Sequence, residues 1–538
     1  MCHKVSLLDC TLRDGAYIVE GQFGDGAIKG IIKKLKDAKT EIIECGWLKD
    51  TTHMSGSSYF HVPSELEPYI GEKDENTIYV AMIDFDRYDL SVLPVCDGKS
   101  IDAIRVVFPY GKCKEGMEVG RQIKEKGYQV FIQAANTLAY GESDLIELAR
   151  AANKLKPTGL SIVDTFGAMY ADELERITAV LDSQLDQEIQ LGFHSHNNQQ
   201  LSFSLVMHFI SLLKNSSRDV IVDATLCGMG RGAGNAATEL VCNYLNLKEN
   251  GNYDMDMIMD AIDMYMSYFQ EKFTWGYSTP YFIAGMYCCH VNNIAYLQKN
   301  HRTNARDMRN IIQSLTAEER KKYDYDLLEK KYSENQNRIV KDDDTMDELR
   351  AEFKGRKILL IAPGKTILTQ KERVKKYIEQ ENPVIIAINA LNKEYQCDYL
   401  FLISSVRYQY AKEVYSEQFK NTKKILLSCI KTEGAEDEKI INFSRVVKYG
   451  WEHFDNAVIN CLRFLDKLNV KDIAIAGFDE FLNEYNESYA DSGLPTVNPN
   501  NHWADLNQEI LDMFRDFKRQ VKDSVSIEFL TDSIFDIG

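Results

Sequence analysis

Among the 12 cysteines of this chain there is no Cys-x-x-Cys pair and no zinc-ribbon spacing. That absence argues against a structural zinc knuckle and suits reduced thiols in a reducing compartment. Cys288 and Cys289 are adjacent, but vicinal disulfides are sterically awkward, so they are read as helix residues near a barrel edge. Basic residues are also in short supply: 63 Lys and Arg against 81 Asp and Glu leave a net charge of −18. Such a chain is not drawn to nucleic acid or to an anionic membrane surface, and neither is expected as a partner. A small anionic substrate would need locally placed cations or a metal. Long apolar runs are missing too. No segment approaches the roughly 20 apolar residues of a membrane span, and the opening MCHKVSLLDC lacks a leader's apolar core before a small-residue cleavage site. A cytoplasmic protein is expected.

What is present is the composition of a folded chain, 44% hydrophobic over 538 residues, long enough for two domains or for one barrel with a companion. Short apolar runs alternate with longer amphipathic ones from residue 5 to about residue 247, the pattern of repeated strand–helix units around a parallel sheet. The strand candidates are Val5–Asp9, Ile42–Cys45, Ile78–Met82, Ala103–Val107, Val130–Ala134, Leu160–Val163, Ile189–Phe193 and Val220–Ala224. Eight such units predict a (β/α)8 TIM barrel over residues 1–250. Residues 251–354 read as a helical extension and charged linker. Residues 355–538 read as a second, smaller Rossmann-like α/β domain, with strands at Lys357–Ala362, Val384–Ile388, Tyr399–Ile403, Lys424–Leu427 and Asp472–Ala476. Helices are expected near Gln370–Glu379, His453–Leu468 and Asp505–Val521.

The conspicuous polar residues fall at or just beyond the ends of barrel strands: Arg13 and Asp14 after the first, Glu44 near the end of the second, His194 and His196 after the seventh. In this fold the loops at the C-terminal strand ends carry the active site, so these groups should converge. Residues two apart in extended chain project to one side, so His194 and His196 can present two imidazoles to one ion. Two hydrogen-bonding histidines at a strand end would give the same pattern. With Asp14 they make a three-ligand set that leaves positions open for substrate. Gly228-Met229-Gly230-Arg231-Gly232-Ala233-Gly234 has the wrong glycine spacing for a dinucleotide loop and is read as a tight active-site turn. Asp164-Thr165-Phe166-Gly167 either lines the pocket or is a simple turn. Ala362-Pro363-Gly364-Lys365-Thr366 lacks the upstream glycine of a nucleotide loop, yet it can offer backbone donors to an anion.

The segments LLDCTLRDGAY, IIECGW, GFHSHNN and ATLCGMGRGAGNAATELV, in this order over residues 4–245, resemble the successive signatures of the DRE-TIM metallolyase superfamily. That superfamily comprises the hydroxymethylglutaryl-CoA lyase-like and pyruvate carboxyltransferase-domain enzymes, and the chain is most similar in character to 4-hydroxy-2-oxovalerate aldolase. The resemblance implies Asp14, His194 and His196 as ligands of a divalent cation, with Asn235 as a further ligand or close neighbour. Mn2+ or Mg2+ is expected, with Co2+ or Zn2+ as alternatives. It also implies that Arg13 supports a developing enolate oxygen and that Glu44 holds the guanidinium. One departure stands out: Tyr17 occupies the position of the proposed histidine base, and a phenol is a better donor than base at neutral pH. His53 and His61, in the loop after the second strand, are alternative bases or plain surface histidines. Tyr277 is matched to a product-protonating tyrosine.

The implied reaction is reversible cleavage of a 4-hydroxy-2-oxoacid to pyruvate or a related oxoacid plus an aldehyde. A Claisen-type acyl-CoA and oxoacid condensation, and a metal-binding scaffold without turnover, are the alternatives. The expected partner is a small oxoacid substrate, and the chain is expected to form a homodimer.

Overall fold

The computed structural model describes residues 4–301, 303–336, 338–432, 434–451, 456–482, 488–495 and 503–537. Its contacts divide the chain into two units, Met1–Ile294 with Thr316–Tyr323, and Ala295–Leu315 with Asp324–Gly538. The stretch 251–354 is therefore shared between the units rather than forming a separate connector.

The first unit carries β1 (Val5–Asp9), β2 (Ile42–Leu48), β3 (Tyr59–Phe60), β4 (Ile78–Asp84), β5 (Ala103–Phe108), β6 (Gln129–Ala134), β7 (Gly159–Asp164), β8 (Gln190–Ser195) and β9 (Val220–Ala224). All pairings are parallel, and β1 bonds to β9 on one side and β2 on the other, which closes eight strands into a barrel. The two-residue β3 is appended to β2. Strands β2, β7 and β9 are buried along their whole length, as runs such as Val220-Ile221-Val222 require when both faces are covered. The covering helices show the matching period. Asp25–Asp37 buries Ile28, Ile31, Ile32 and Leu35, and Glu142–Leu155 buries Leu145, Leu148, Ala149 and Ala152. Each fully buried Ile or Leu stabilises the wall by about 1.5–3 kcal/mol.

The second unit is an all-parallel sheet of β10 (Ile358–Ile361), β11 (Val384–Ile388), β12 (Tyr399–Leu402), β13 (Lys423–Leu427), β14 (Glu438–Ile441), β15 (Asp472–Ala476) and β16 (Ser526–Phe529), in the order β14-β13-β12-β11-β10-β15-β16. Alternation divides each strand between two cores: Ile358 and Leu360 pack on one face with Phe464 and Phe514, Leu359 and Ile361 on the other with Val374 and Leu400. Helices Lys371–Glu381, Ala457–Lys467 and Trp503–Val521 correspond to those expected, the expected start of the second at His453 lying outside the described residues. The turn after β10 is already supplied with an anion. Thr366 donates from its backbone N (2.8 Å) and Oγ1 (2.5 Å) to the carboxylate of Asp479. A Cβ at Gly364 would lie 2.3 Å from that carboxyl carbon.

Candidate metal centre in the barrel mouth

The strand ends bring Asp14, His194 and His196 together. Asp14 Oδ2 lies 3.6 Å from His194 Nε2 and 3.8 Å from His196 Nε2, the spacing of donors arranged around a common point rather than bonded to one another. Asp14 follows β1, and the histidines sit at the end of β8 and just past it. The β1–β9–β8 pairing is what makes them neighbours. Both imidazoles are oriented from behind. His194 Nδ1 is 2.9 Å from Asp223 Oδ2, and His196 Nδ1 is 3.0 Å from the carbonyl oxygen of Asp164. Each Nδ1 proton is thus engaged by an acceptor, which directs the Nε2 lone pair toward Asp14.

Asn235 completes the set. Its Nδ2 donates to Asp14 Oδ2 (2.6 Å), while its buried Oδ1 has no hydrogen-bond partner among the described residues. An unpaired buried amide oxygen beside a carboxylate is costly unless a cation meets it.

The wall of the mouth is a buried chain of charges. Arg13 Nε donates to Glu44 Oε2 (2.7 Å), and Arg13 Nη1 lies 3.0 Å from Asp14 Oδ1. Arg105, on β5, donates from Nη1 to the same Glu44 oxygen (3.1 Å) and from Nη2 to Asp223 Oδ2 (2.5 Å). Two guanidiniums face three carboxylates, which leaves the cluster with a net charge of −1 and makes the site attractive to a cation. Burial alone would raise the Asp14 carboxyl, but Arg13 and the two imidazoles outweigh it and hold it well below the usual range. Burial lowers His196 to about 4, so it stands neutral and ready to ligate near pH 7. The donor set of one carboxylate, two imidazoles and one amide oxygen suits a divalent cation, with open positions left over.

Tyr17 shares the mouth. Its ring lies edge-on to Trp47 (6.0 Å, 73°), and Trp47 Nε1 donates to the carbonyl oxygen of Arg13 (3.0 Å). Although 37% of Tyr17 is exposed, burial by the surrounding wall pushes its phenol up to about 12, against the pull of Arg231 and Arg13. Tyr277 is not brought into this cluster. It is 61% exposed, on the segment before helix Thr279–Met286. His53 and His61 are tied into their own loop. His53 Nδ1 is 2.8 Å from the Tyr59 carbonyl and its ring stacks on Phe60, and His61 Nδ1 is 3.1 Å from the Lys49 carbonyl. Cys288 and Cys289 are free thiols.

The turn after β9 is built around backbone proximity. Gly234 has φ +81°, and a Cβ there would lie 2.0 Å from the Gly228 carbonyl oxygen. The Asp164 loop behaves alike: its carboxylate accepts from Ala168 N (2.9 Å) and Met169 N (3.2 Å), and Gly167 turns with φ +56°.

Sequence reasoning missed Arg105, Asp223 and His290, and took Arg231 only as part of the glycine-rich turn. Each of the first two had a signal, a lone charge inside an apolar strand, AIRVVF and VIVDA. His290 had none: it lies in a loop over the mouth, with Nε2 3.4 Å from Arg231 Nη1.

A model of the HMGL-like family matches residues 113–264. The 4-hydroxy-2-oxovalerate aldolase of Thermomicrobium roseum is 31% identical over 274 residues, spanning 47% of this chain and 70% of that protein. The chain belongs to the HMGL-like family. A second relative, the oxaloacetate decarboxylase of Mycobacterium tuberculosis, is 27% identical over 271 residues, covering 47% of this chain and 74% of that protein. Among solved structures, the hydroxymethylglutaryl-CoA lyase of Pseudomonas aeruginosa aligns with a TM-score of 0.39 at 17% identity, over 50% of this chain and 94% of that one. The HMGL-like family is one of divalent-metal-dependent aldolases and lyases, and membership in it supports an enzyme. The span matched by the HMGL-like model contains His194, His196 and Asn235, while Arg13, Asp14 and Glu44 precede it. Among the described residues no helix is long and apolar enough to cross a membrane.

Proposed function

We propose that the barrel catalyses reversible retro-aldol cleavage of a 4-hydroxy-2-oxoacid to pyruvate or a related oxoacid plus an aldehyde. The observation that carries this reading is the Asp14, His194, His196 and Asn235 set beside a guanidinium locked by Glu44. Asp14, His194 and His196 would hold the divalent cation, with Asn235 Oδ1 as the fourth donor. When bound, that cation supplies Lewis acidity toward the 2-oxo and carboxylate oxygens of the substrate. Arg13 is held by Glu44 and Asp14, so its remaining N–H groups are pre-aimed at the oxygen on which enolate charge develops. Tyr17, protonated at neutral pH, gives its proton to the enolate carbon rather than acting as the base, and the proton of the 4-hydroxyl group passes to water at the open mouth, from which Tyr17 is reprotonated. The relatives named aldolase and oxaloacetate decarboxylase fit one demand, because breaking the C3–C4 bond of a 4-hydroxy-2-oxoacid and losing the C4 carboxylate of oxaloacetate both leave the enolate of a 2-oxoacid.

The test is oxoacid release from a panel of 4-hydroxy-2-oxoacids, with and without chelator, on the wild type and on His194→Ala and His196→Ala. Release should require metal, and both variants should lose metal and turnover together. Full metal content and turnover in both variants would show that the site is misassigned. No chelator-sensitive cleavage of any substrate would refute the reaction.

A further inference from the structure

The cation-poor composition makes one feature of the barrel mouth stand out, a group of cations with no carboxylate to hold them. Arg231 follows Gly230, whose backbone abuts the candidate metal centre: a Cβ there would lie 2.2 Å from Asn235 Nδ2 and 3.4 Å from Asp14 Oδ2. The Arg231 guanidinium carbon stands 3.8 Å from the centre of the Tyr17 ring. Across the Tyr17 and Trp47 pair is Lys49, its Nζ 5.3 Å from the Trp47 ring and 3.6 Å from that of Tyr59. Burial lowers the Lys49 ammonium, and Arg87 and Arg231 push it the same way, so these cations feel one another. Asp84, at the end of β4, is the carboxylate that faces them. Among the described residues it is within ion-pair distance of none of the three, and neither Arg231 nor Lys49 has any other carboxylate partner at that range.

Partly buried cations resting on aromatic faces keep N–H donors unused. A planar guanidinium so placed is shaped to receive a carboxylate or phosphate through two parallel hydrogen bonds. Arg231 rests on the Tyr17 ring, whereas Arg13 is engaged by Asp14 and Glu44 beside the metal centre, so an anion bound by Arg231 would be a different group from the one at the metal centre.

We propose that Arg231 and Lys49 form an anion-recognition subsite at the barrel mouth, so that the substrate is an oxoacid bearing a second anionic group, a carboxylate or a phosphate, at its far end. This rests on the oxoacid reading of the metal centre and narrows it from singly anionic hydroxy-oxoacids to doubly anionic ones.

The test separates the two readings because it measures binding rather than turnover. The manganese-loaded full-length protein is titrated calorimetrically with 2-oxoglutarate, with 2-oxopentanoate of the same chain length, and with the terminal phosphonate analogue of the latter. The wild type should bind one or both doubly charged compounds at least about 10-fold more tightly than 2-oxopentanoate, as a charge-assisted bidentate contact predicts. The better of the two names the anion. In Arg231→Gln and in Lys49→Gln that ratio should shrink, to about 3-fold or less in the first, while Arg231→Lys keeps part of it. The ratio is taken within each variant, so a general distortion of the mouth lowers both affinities and leaves it standing. Equal affinities in the wild type, a ratio that survives both substitutions, or no binding of any of the three would overturn the subsite. Discrimination without cleavage of any hydroxy-oxoacid would leave the subsite in place and remove the aldolase reaction. Cleavage without discrimination would do the reverse.

Discussion

Asp223→Asn tests whether the buried charges behind the metal centre set its affinity. A single oxygen, Asp223 Oδ2, accepts from Arg105 Nη2 at 2.5 Å and from His194 Nδ1 at 2.9 Å. Burial would raise this carboxyl, but Arg105 and His194 together outweigh burial and hold it below the usual range. Asparagine keeps the shape and removes the charge. If its oxygen stays toward Arg105, its NH2 faces the imidazole, which then has to present its Nδ1 lone pair and carry its proton on Nε2, toward Asp14. That tautomer cannot ligate. If the amide turns the other way, the NH2 confronts the guanidinium. Loss of such an orienting partner costs about 10–100-fold in metal affinity, about 1.4–2.8 kcal/mol. Arg105 would also be left to share Glu44 with Arg13, and breaking a buried pair from one side costs about 3–5 kcal/mol of stability. Metal affinity is measured by competition with a metallochromic chelator, and stability by scanning calorimetry of the metal-free protein, following the transition that metal addition shifts. Affinity within about 3-fold of wild type, together with an unshifted transition, would refute the reasoning.

Arg13→Lys retains charge but loses the planar fork that bridges Glu44 and Asp14, so turnover should fall roughly 10²-fold or more while metal content, read by elemental analysis of the same sample, changes little. Metal loss large enough to explain the whole defect would contradict this. Asp9 gives a pH prediction: burial pushes its carboxyl up to about 6, despite the hydrogen bond from Thr238 Oγ1. A folded pKa above the unfolded one means the stabilising contribution is whole below about pH 4 and lost as pH rises through 6. Asp9→Asn lacks that loss, so its stability relative to wild type should rise by about 2–3 kcal/mol between pH 4 and 7, measured by denaturant unfolding across the range. A difference that does not vary with pH would exclude it.

Much of the fold was legible because its strands are pure pattern. Val5–Asp9 and Val220–Ala224 begin and end where their apolar runs do, since both lie inside a wall covered on each side. Glu438–Ile441 and Ser526–Phe529 escaped notice because each is a short edge strand, partly exposed and interrupted by charge. At the site, the motifs at strand ends named Arg13, Asp14, Glu44, His194, His196 and Asn235 as one cluster. Arg105 and Asp223 were not named, because β5 and β9 are not paired and their side chains meet across the barrel interior. Strand periodicity says which face a residue takes, not which distant strand it meets there. Tyr277 was matched by likeness alone, in a segment where no strand end fixes position, and it lies exposed.

The turn after β10 in the second unit carries its own competitor. Asp479 is covalently part of the chain and sits against Thr366, so any free phosphate seeking those donors contends with a rival at an effective concentration of roughly millimolar order or more. A phosphate could win only if the segment bearing Asp479 swung aside, which would unseat the oxygen bonded to Thr366 Oγ1 and vacate the space beside Gly364 that the Asp479 carboxyl now fills. In its present form the turn is self-inhibited toward anions: what looks in the sequence like a receptor is, in the folded chain, a receptor already holding a tethered ligand.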